Sequence, residues 1–193
     1  TLSTTLQNKY GVKVSTVEHL LASLYIVGID SAIIEVDNEE IPIMDGSAKD
    51  FLDKLRKINI TQLNKKIKYL KVLDKIELED GNRKIQIVPK EDFEVDFELK
   101  YENKIIGNQR NLIKFGSQDL KEVEESRTFC LYEDIQKIKK MGLAKGGKLE
   151  NAIVVDENKV INEGGLRNKK EFVNHKILDL AGDFLLSGYK ILG

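Results

Sequence analysis

The hydrophobic period of the chain changes near residue 65, and this limits the fold more than any other feature of the sequence. Up to that point apolar residues recur at helical spacing around short extended segments. Beyond the polar connection 59–66 they alternate, and a helical pattern returns at residues 169–186. Helical stripes and period-two faces are buried together by laying helices on sheets. The expected class is therefore α+β, two helix-and-strand layers split near residue 65, with a first domain over 1–65 and a second over 66–193. With 193 residues, 41% of them hydrophobic and 33% charged, the chain can bury roughly 70% of its unfolded surface.

In the first half, Ser15-Thr16-Val17-Glu18 has capping-box spacing, which predicts a helix entered at Ser15, running through 19–27 and stopped by Gly28. Residues 31–37 have the pattern of a buried strand. Ile41-Pro42-Ile43-Met44 is extended, because proline is excluded from a helix interior, and 48–58 is an amphipathic helix with Phe51, Leu52 and Leu55 inward. In the second half, alternation over 67–78 and 84–88 around Asp80-Gly81-Asn82 predicts a hairpin, and 93–99 a further strand. Residues 122–131 look extended, 133–141 helical, 152–156 extended and 169–186 helical. On that last helix Val173, Ile177, Leu178, Ala181 and Phe184 share one arc, and His175, Lys176, Asp179, Gly182 and Asp183 share the other.

Counts of the reactive residues exclude several chemistries. One cysteine forms no internal disulfide and no four-cysteine zinc or iron–sulfur site, and two histidines cannot make a three-histidine centre. Cys130, beside Phe129 in an apolar strand, has the setting of a small buried hydrophobe. Lys+Arg 31 against Asp+Glu 32 leaves a net charge of −1, with no field favouring nucleic acid; the lysines of 65–71 fit the wet face of a strand. Gly142-Leu-Ala-Lys-Gly-Gly147-Lys148 has phosphate-loop spacing, but Leu149 stands where a hydroxyl should follow, and the helix precedes the loop instead of following it. The longest apolar run, 20–27, is far short of the ~20 residues that span a bilayer, and a single cysteine suits a reducing compartment, so the cytoplasm is the expected location. Thr1 in place of methionine suggests a fragment or a processed product.

Two local patterns carry possible chemistry. His175 and Asp179 are i, i+4 on one helix and can reach the same point, which suits half of a metal site or an ordinary His–Asp pair on a solvent face. Glu18-His19 can present a base and a ligand together, or be a capping carboxylate beside a core histidine. Spacing leaves both alternatives open.

Three segments taken in order carry a resemblance: Ser15-Thr-Val-Glu-His-Leu-Leu21, Glu40-Ile-Pro-Ile-Met-Asp-Gly-Ser47 and His175-Lys-Ile-Leu-Asp-Leu-Ala-Gly-Asp183. With Ser126-Arg-Thr-Phe129, Gly142-Leu-Ala-Lys-Gly-Gly147, Ala152-Ile-Val-Val155 and residues 162–166, the chain closely resembles the zinc-dependent UDP-3-O-acyl-N-acetylglucosamine deacetylases of lipid A synthesis. The resemblance covers essentially the whole chain. It implies two-layer helix/sheet sandwich halves related by pseudo-symmetry, with an inserted βαβ unit at about 131–155. It further implies that His19, His175 and Asp179 bind Zn²⁺ with a fourth position for water, and that Glu18 is the general base. Zinc and the Thr128 hydroxyl would stabilise the oxyanion of N-acetyl hydrolysis. Phe129 would pack on the sugar, and Lys176 would contact the polar head group. Ile135, Ile138, Leu143, Ala152 and Val154 would line a passage for the 3-O-acyl chain, ordinary core being the alternative for each. The implied partner is a nucleotide-sugar lipid precursor, taken by a monomer with at most peripheral membrane contact. Asp183 would orient a proton-donating histidine that the family carries in a downstream Ser-Gly-His segment. No such histidine follows here, so the expectation for this chain is zinc binding with weak or no turnover, or a non-catalytic nucleotide-sugar-binding module.

Overall fold

The computed structural model describes residues 3–142 and 144–193. In chain order, β1 (Thr5–Gln7) and β2 (Lys13–Ser15) form a hairpin and lead into α1 (Glu18–Val27); α2 (Lys49–Leu55) follows after a long irregular stretch. Then come β3 (Tyr69–Lys71), β4 (Ile76–Asp80), β5 (Arg83–Ile87), β6 (Glu94–Lys100), β7 (Asn108–Lys114) and the short helix α3 (Lys121–Glu124). β8 (Phe129–Leu131), α4 (Ile135–Lys140), β9 (Ile153–Val155), α5 (Glu171–Leu185) and β10 (Lys190–Leu192) complete the chain. This mixture of helices and small sheets is the expected α+β class, with no barrel among the described residues. β8 and β9 pair in parallel across α4, which makes the βαβ unit anticipated near 131–155.

Several expectations change in the structure. Ser15 does not cap α1: it ends β2, its amide donates to Glu39 O, its carbonyl accepts from Ile41 N, and its hydroxyl donates to Glu39 O. Thr16 then turns at φ 60°, and α1 starts at Glu18. Pairing to a distant segment has displaced the local cap. Gly28 does end the helix, in the left-handed conformation, donating to Leu24 and Tyr25 carbonyls. Residues 31–37 are irregular and exposed, Ile33 at 94%; among the described residues no neighbour takes their backbone hydrogen bonds, and apolar pattern alone makes no strand.

The alternation over 67–78 is broken in two. β3 pairs in parallel with β10, while β4 forms the expected hairpin with β5 around Gly81-Asn82. β6 pairs with β7, a strand whose polar Asn108-Gln109-Arg110 start gave no sequence signal. Residues 122–131 are extended only from Phe129; α3 precedes, burying Val123.

The core lies on α5. Phe172, Val173, Ile177, Leu178 and Ala181 are fully buried against α1, β6 and β7, joined by Ala22, Val95, Leu99 and Ile113. The opposite arc of α5 is no solvent face: α1 lies against His175 and Gly182, while Glu171 is buried against Arg127 and Arg167, and Asn174 against Asn111 and Asn168. No described helix is long and apolar enough to cross a membrane.

Candidate metal centre

The first turn of α1 meets α5 at unusually short range. A Cβ on Gly182 would lie 2.1 Å from the Glu18 carbonyl oxygen and 3.0 Å from Ala22 N, so only glycine allows this crossing. The approach brings His19 onto the α5 turn that carries His175 and Asp179. The two imidazole rings stand edge-on with centroids 5.0 Å apart, and each Nε2 lies 3.4 Å from Asp179 Oδ1. One ligand atom from each of the three residues lies within 4.8 Å of the other two.

A metal ion fits this set. At 3.4 Å the nitrogen–oxygen pairs exceed an ordinary hydrogen bond, and Asp179 Oδ1 is buried with no hydrogen-bond partner among the described residues. The same spacing is close to the ~3.3 Å edge of a tetrahedron with bonds of about 2.0–2.1 Å. Protonation states agree. Burial pushes the His175 imidazole down to about 3, so it is neutral at ordinary pH. Its Nδ1 faces the Ser126 carbonyl at 3.1 Å, and a carbonyl only accepts, so the proton sits on Nδ1 and Nε2 offers its lone pair toward Asp179. Burial works against the Asp179 charge, but its polar neighbours, with the Lys176 ammonium 3.0 Å away, hold the carboxyl well below the usual carboxylate range.

Around the three side chains, Lys176 Nζ donates to Asp179 Oδ2 at 3.0 Å and lies 5.6 Å over the Phe129 ring. Phe129 packs edge-on against Phe172 and Tyr101, with its centroid 6.4 Å from that of His175. Glu18 is buried at the start of α1, and burial raises its carboxyl above the ordinary value; Asp183 is raised for the same reason. Thr4 joins the two, its amide donating to Glu18 Oε2 at 3.1 Å and its hydroxyl to Asp183 Oδ1 at 2.7 Å.

Thr128 immediately precedes β8. Its amide donates to Gly46 O, and its carbonyl accepts from Ile153 N. Gly46, at φ 85°, passes so near the Asn151 carbonyl that no other residue would fit, which accounts for glycine in the Asp45-Gly46-Ser47 turn.

The structure thus brings Glu18, His19, His175, Lys176, Asp179, Asp183 and Phe129 to one place. The lipid-passage candidates lie on the βαβ unit whose first strand begins with Phe129. Ile135 and Ile138 are half-buried on α4, Ala152 is half-buried, Val154 is buried on β9, and Leu143 lies outside the described residues. Thr4, Ser126 and Glu171 escaped sequence reasoning. Glu171 precedes His175 by four residues, the spacing that paired His175 with Asp179, and could have been found by it. Thr4 and the Ser126 carbonyl carry no pattern.

The family model described as UDP-3-O-acyl N-acetylglycosamine deacetylase matches residues 1–193. Among curated relatives, the UDP-3-O-acyl-N-acetylglucosamine deacetylase of Pasteurella multocida is 44% identical over 195 residues, covering 100% of this chain and 64% of its own length. Those of Shewanella violacea and Nautilia profundicola are 42% and 41% identical, covering 100% and 95% of this chain. The chain spans 64% and 63% of their lengths, respectively.

Proposed function

The chain belongs to the UDP-3-O-acyl-N-acetylglucosamine deacetylase family, and on that footing we propose that His19, His175 and Asp179 hold a zinc ion for hydrolysis of the N-acetyl group of UDP-3-O-acyl-N-acetylglucosamine. The observation that carries this is that both imidazole Nε2 atoms lie at tetrahedral-edge distance, 3.4 Å, from Asp179 Oδ1, a buried oxygen without a hydrogen-bond partner among the described residues. Two imidazoles and one carboxylate are the donor set of a hydrolytic zinc, which when bound polarises a carbonyl and acidifies water toward a pKa of ~7.

The remaining work falls to the chain's own side chains. Glu18, next to a ligand in sequence and raised by burial, is a stronger base than a free carboxylate and accepts the proton of the attacking water. The new carbon–oxygen bond forms as that proton leaves. The Thr128 hydroxyl donates to the oxyanion, and the carbon–nitrogen bond breaks as Glu18 passes the proton taken from water to the leaving amine. Lys176, held over Phe129 and tied to Asp179, supplies positive charge for the head group, while Phe129 offers the sugar an apolar face. The βαβ unit beyond Phe129, with Ile135, Ala152 and Val154, takes the acyl chain. The ligands come from both sides of residue 65, which supports a site between two α+β halves.

Metal analysis of the purified chain beside His175→Ala tests the assignment. About one zinc per chain is expected, lost in the variant; no zinc in either overturns it. In the enzyme Glu18→Gln should keep zinc and lose about 10²–10⁴-fold in turnover, and a variant with unchanged turnover would remove Glu18 as base.

A further inference from the structure

Among charged groups outside the proposed chemistry, Glu171 is the most deeply buried, fully enclosed on α5 one helical turn before His175. A single peptide unit lies between those two side chains. The Arg127 N–H donates to Glu171 Oε1 at 3.1 Å, and the Ser126 carbonyl of the same peptide accepts from His175 Nδ1 at 3.1 Å. Carboxylate, amide and imidazole therefore form one line of hydrogen bonds along a turn of α5. The carboxylate is itself held on every side: Arg127 Nε reaches Oε1 at 2.8 Å, and Arg127 Nη2 and Arg167 N reach Oε2 at 3.2 and 2.6 Å. Arg127 Nη2 also donates to Gly165 O.

We infer that Glu171 and Arg127 are positioning residues of the metal site, acting on His175 through the Ser126–Arg127 peptide. The inference rests on His175 being a ligand. Glu171 fixes and polarises the peptide, and the peptide carbonyl holds the imidazole with its proton on Nδ1 and its lone pair toward Asp179. Metal-bound histidines commonly lean on a carboxylate or a carbonyl directly; here a carboxylate acts through a carbonyl. His19 has no such support, since its Nδ1 is buried without a hydrogen-bond partner among the described residues. Preorganisation of the site is thus concentrated on His175. A buried ion pair adds little stability that apolar residues of like volume would not, so placement of the peptide is the distinctive product of Arg127 and Glu171.

Single substitutions leave one buried charge unpaired and can unfold the chain, so two neutral double variants are the test. Arg127→Met/Glu171→Leu removes the acceptor for the residue-127 amide, and Arg127→Met/Glu171→Gln keeps one. Near-UV circular dichroism reports folding, chelator competition reports zinc affinity, and imidazole ¹⁵N spectra of the metal-free chain report tautomers. With two histidines, His19→Gln assigns the spectra. Expected are an affinity about 10–100-fold weaker and a mixture of His175 tautomers in the leucine variant, with most of both restored in the glutamine variant. Unchanged affinity and an unchanged Nδ1–H tautomer in a folded leucine variant overturn the inference and leave the ligand assignment standing. No zinc on the parent chain overturns the ligand assignment and the inference with it.

Discussion

Thr4 shows how much a single residue without sequence pattern can carry. Its amide and hydroxyl reach two carboxylates that burial raises, Glu18 and Asp183, and both bonds favour the ionised forms. Thr4→Val keeps the amide bond and removes the hydroxyl from Asp183, whose carboxyl should then rise further. Asp183 is raised in the folded chain, so its contribution to stability is complete below the ordinary value of 3.8 and is lost as pH climbs through the higher folded value. Removing the hydroxyl deepens that loss. The variant should be less stable than the parent by about 1 kcal/mol at pH 7, with the gap closing as Asp183 protonates in acid. Denaturant unfolding of both metal-free proteins across that range checks this; a gap independent of pH would mean that the hydroxyl acts through something other than Asp183.

Between elements, the decisive event is the crossing of α1 and α5 at Gly182. Gly182→Ala raises intrinsic helix propensity by about 1 kcal/mol, yet its methyl group would meet the rigid Glu18 carbonyl at 2.1 Å. Separating the helices should cost about 1–3 kcal/mol beyond that gain and carry His19 away from Asp179, weakening zinc binding. Unfolding midpoints and a zinc titration of the variant measure both effects, and parent-like values in both would show that the crossing distance does not set the site. α1 was legible as an apolar run stopped by Gly28 and α5 as an apolar stripe sustained along its length, and so was the β4–β5 turn. The start of α1, the idle segment 31–37 and the pairing of β3 with β10 were not, since each depends on a partner far away in the chain. The site divides in the same way. His175 with Asp179 and Glu18 with His19 are visible as spacings, and the resemblance joined them. The Ser126 carbonyl behind His175 belongs to the main chain and has no residue signature.

For the molecule as a whole, the proposed site makes folding sensitive to both protons and zinc. His175 is neutral in the folded chain down to about pH 3, whereas in the unfolded chain it takes up a proton near its ordinary value of 6.5. A proton bound only by the unfolded state weakens folding as pH falls, so the stability from this group is complete above about 6.5 and is lost progressively toward 3. Asp179, held low in the folded chain, adds to the loss only where an unfolded aspartate protonates, near its ordinary value of 3.8. Between about pH 6.5 and 4.5 the metal-free chain should therefore lose stability through His175, and His175→Gln should lose less across the same interval. Zinc acts oppositely because it binds the folded arrangement: at a free concentration of 100 times its Kd it adds about 2.7 kcal/mol. For a domain of this length that corresponds to a rise in Tm of roughly 5–11 °C. The rise should vanish in His175→Ala, since two ligands remain where three are needed to hold α1 against α5. Thermal unfolding at pH 7 with and without zinc measures it, and an equal rise in the variant would place the stabilising zinc elsewhere on the chain.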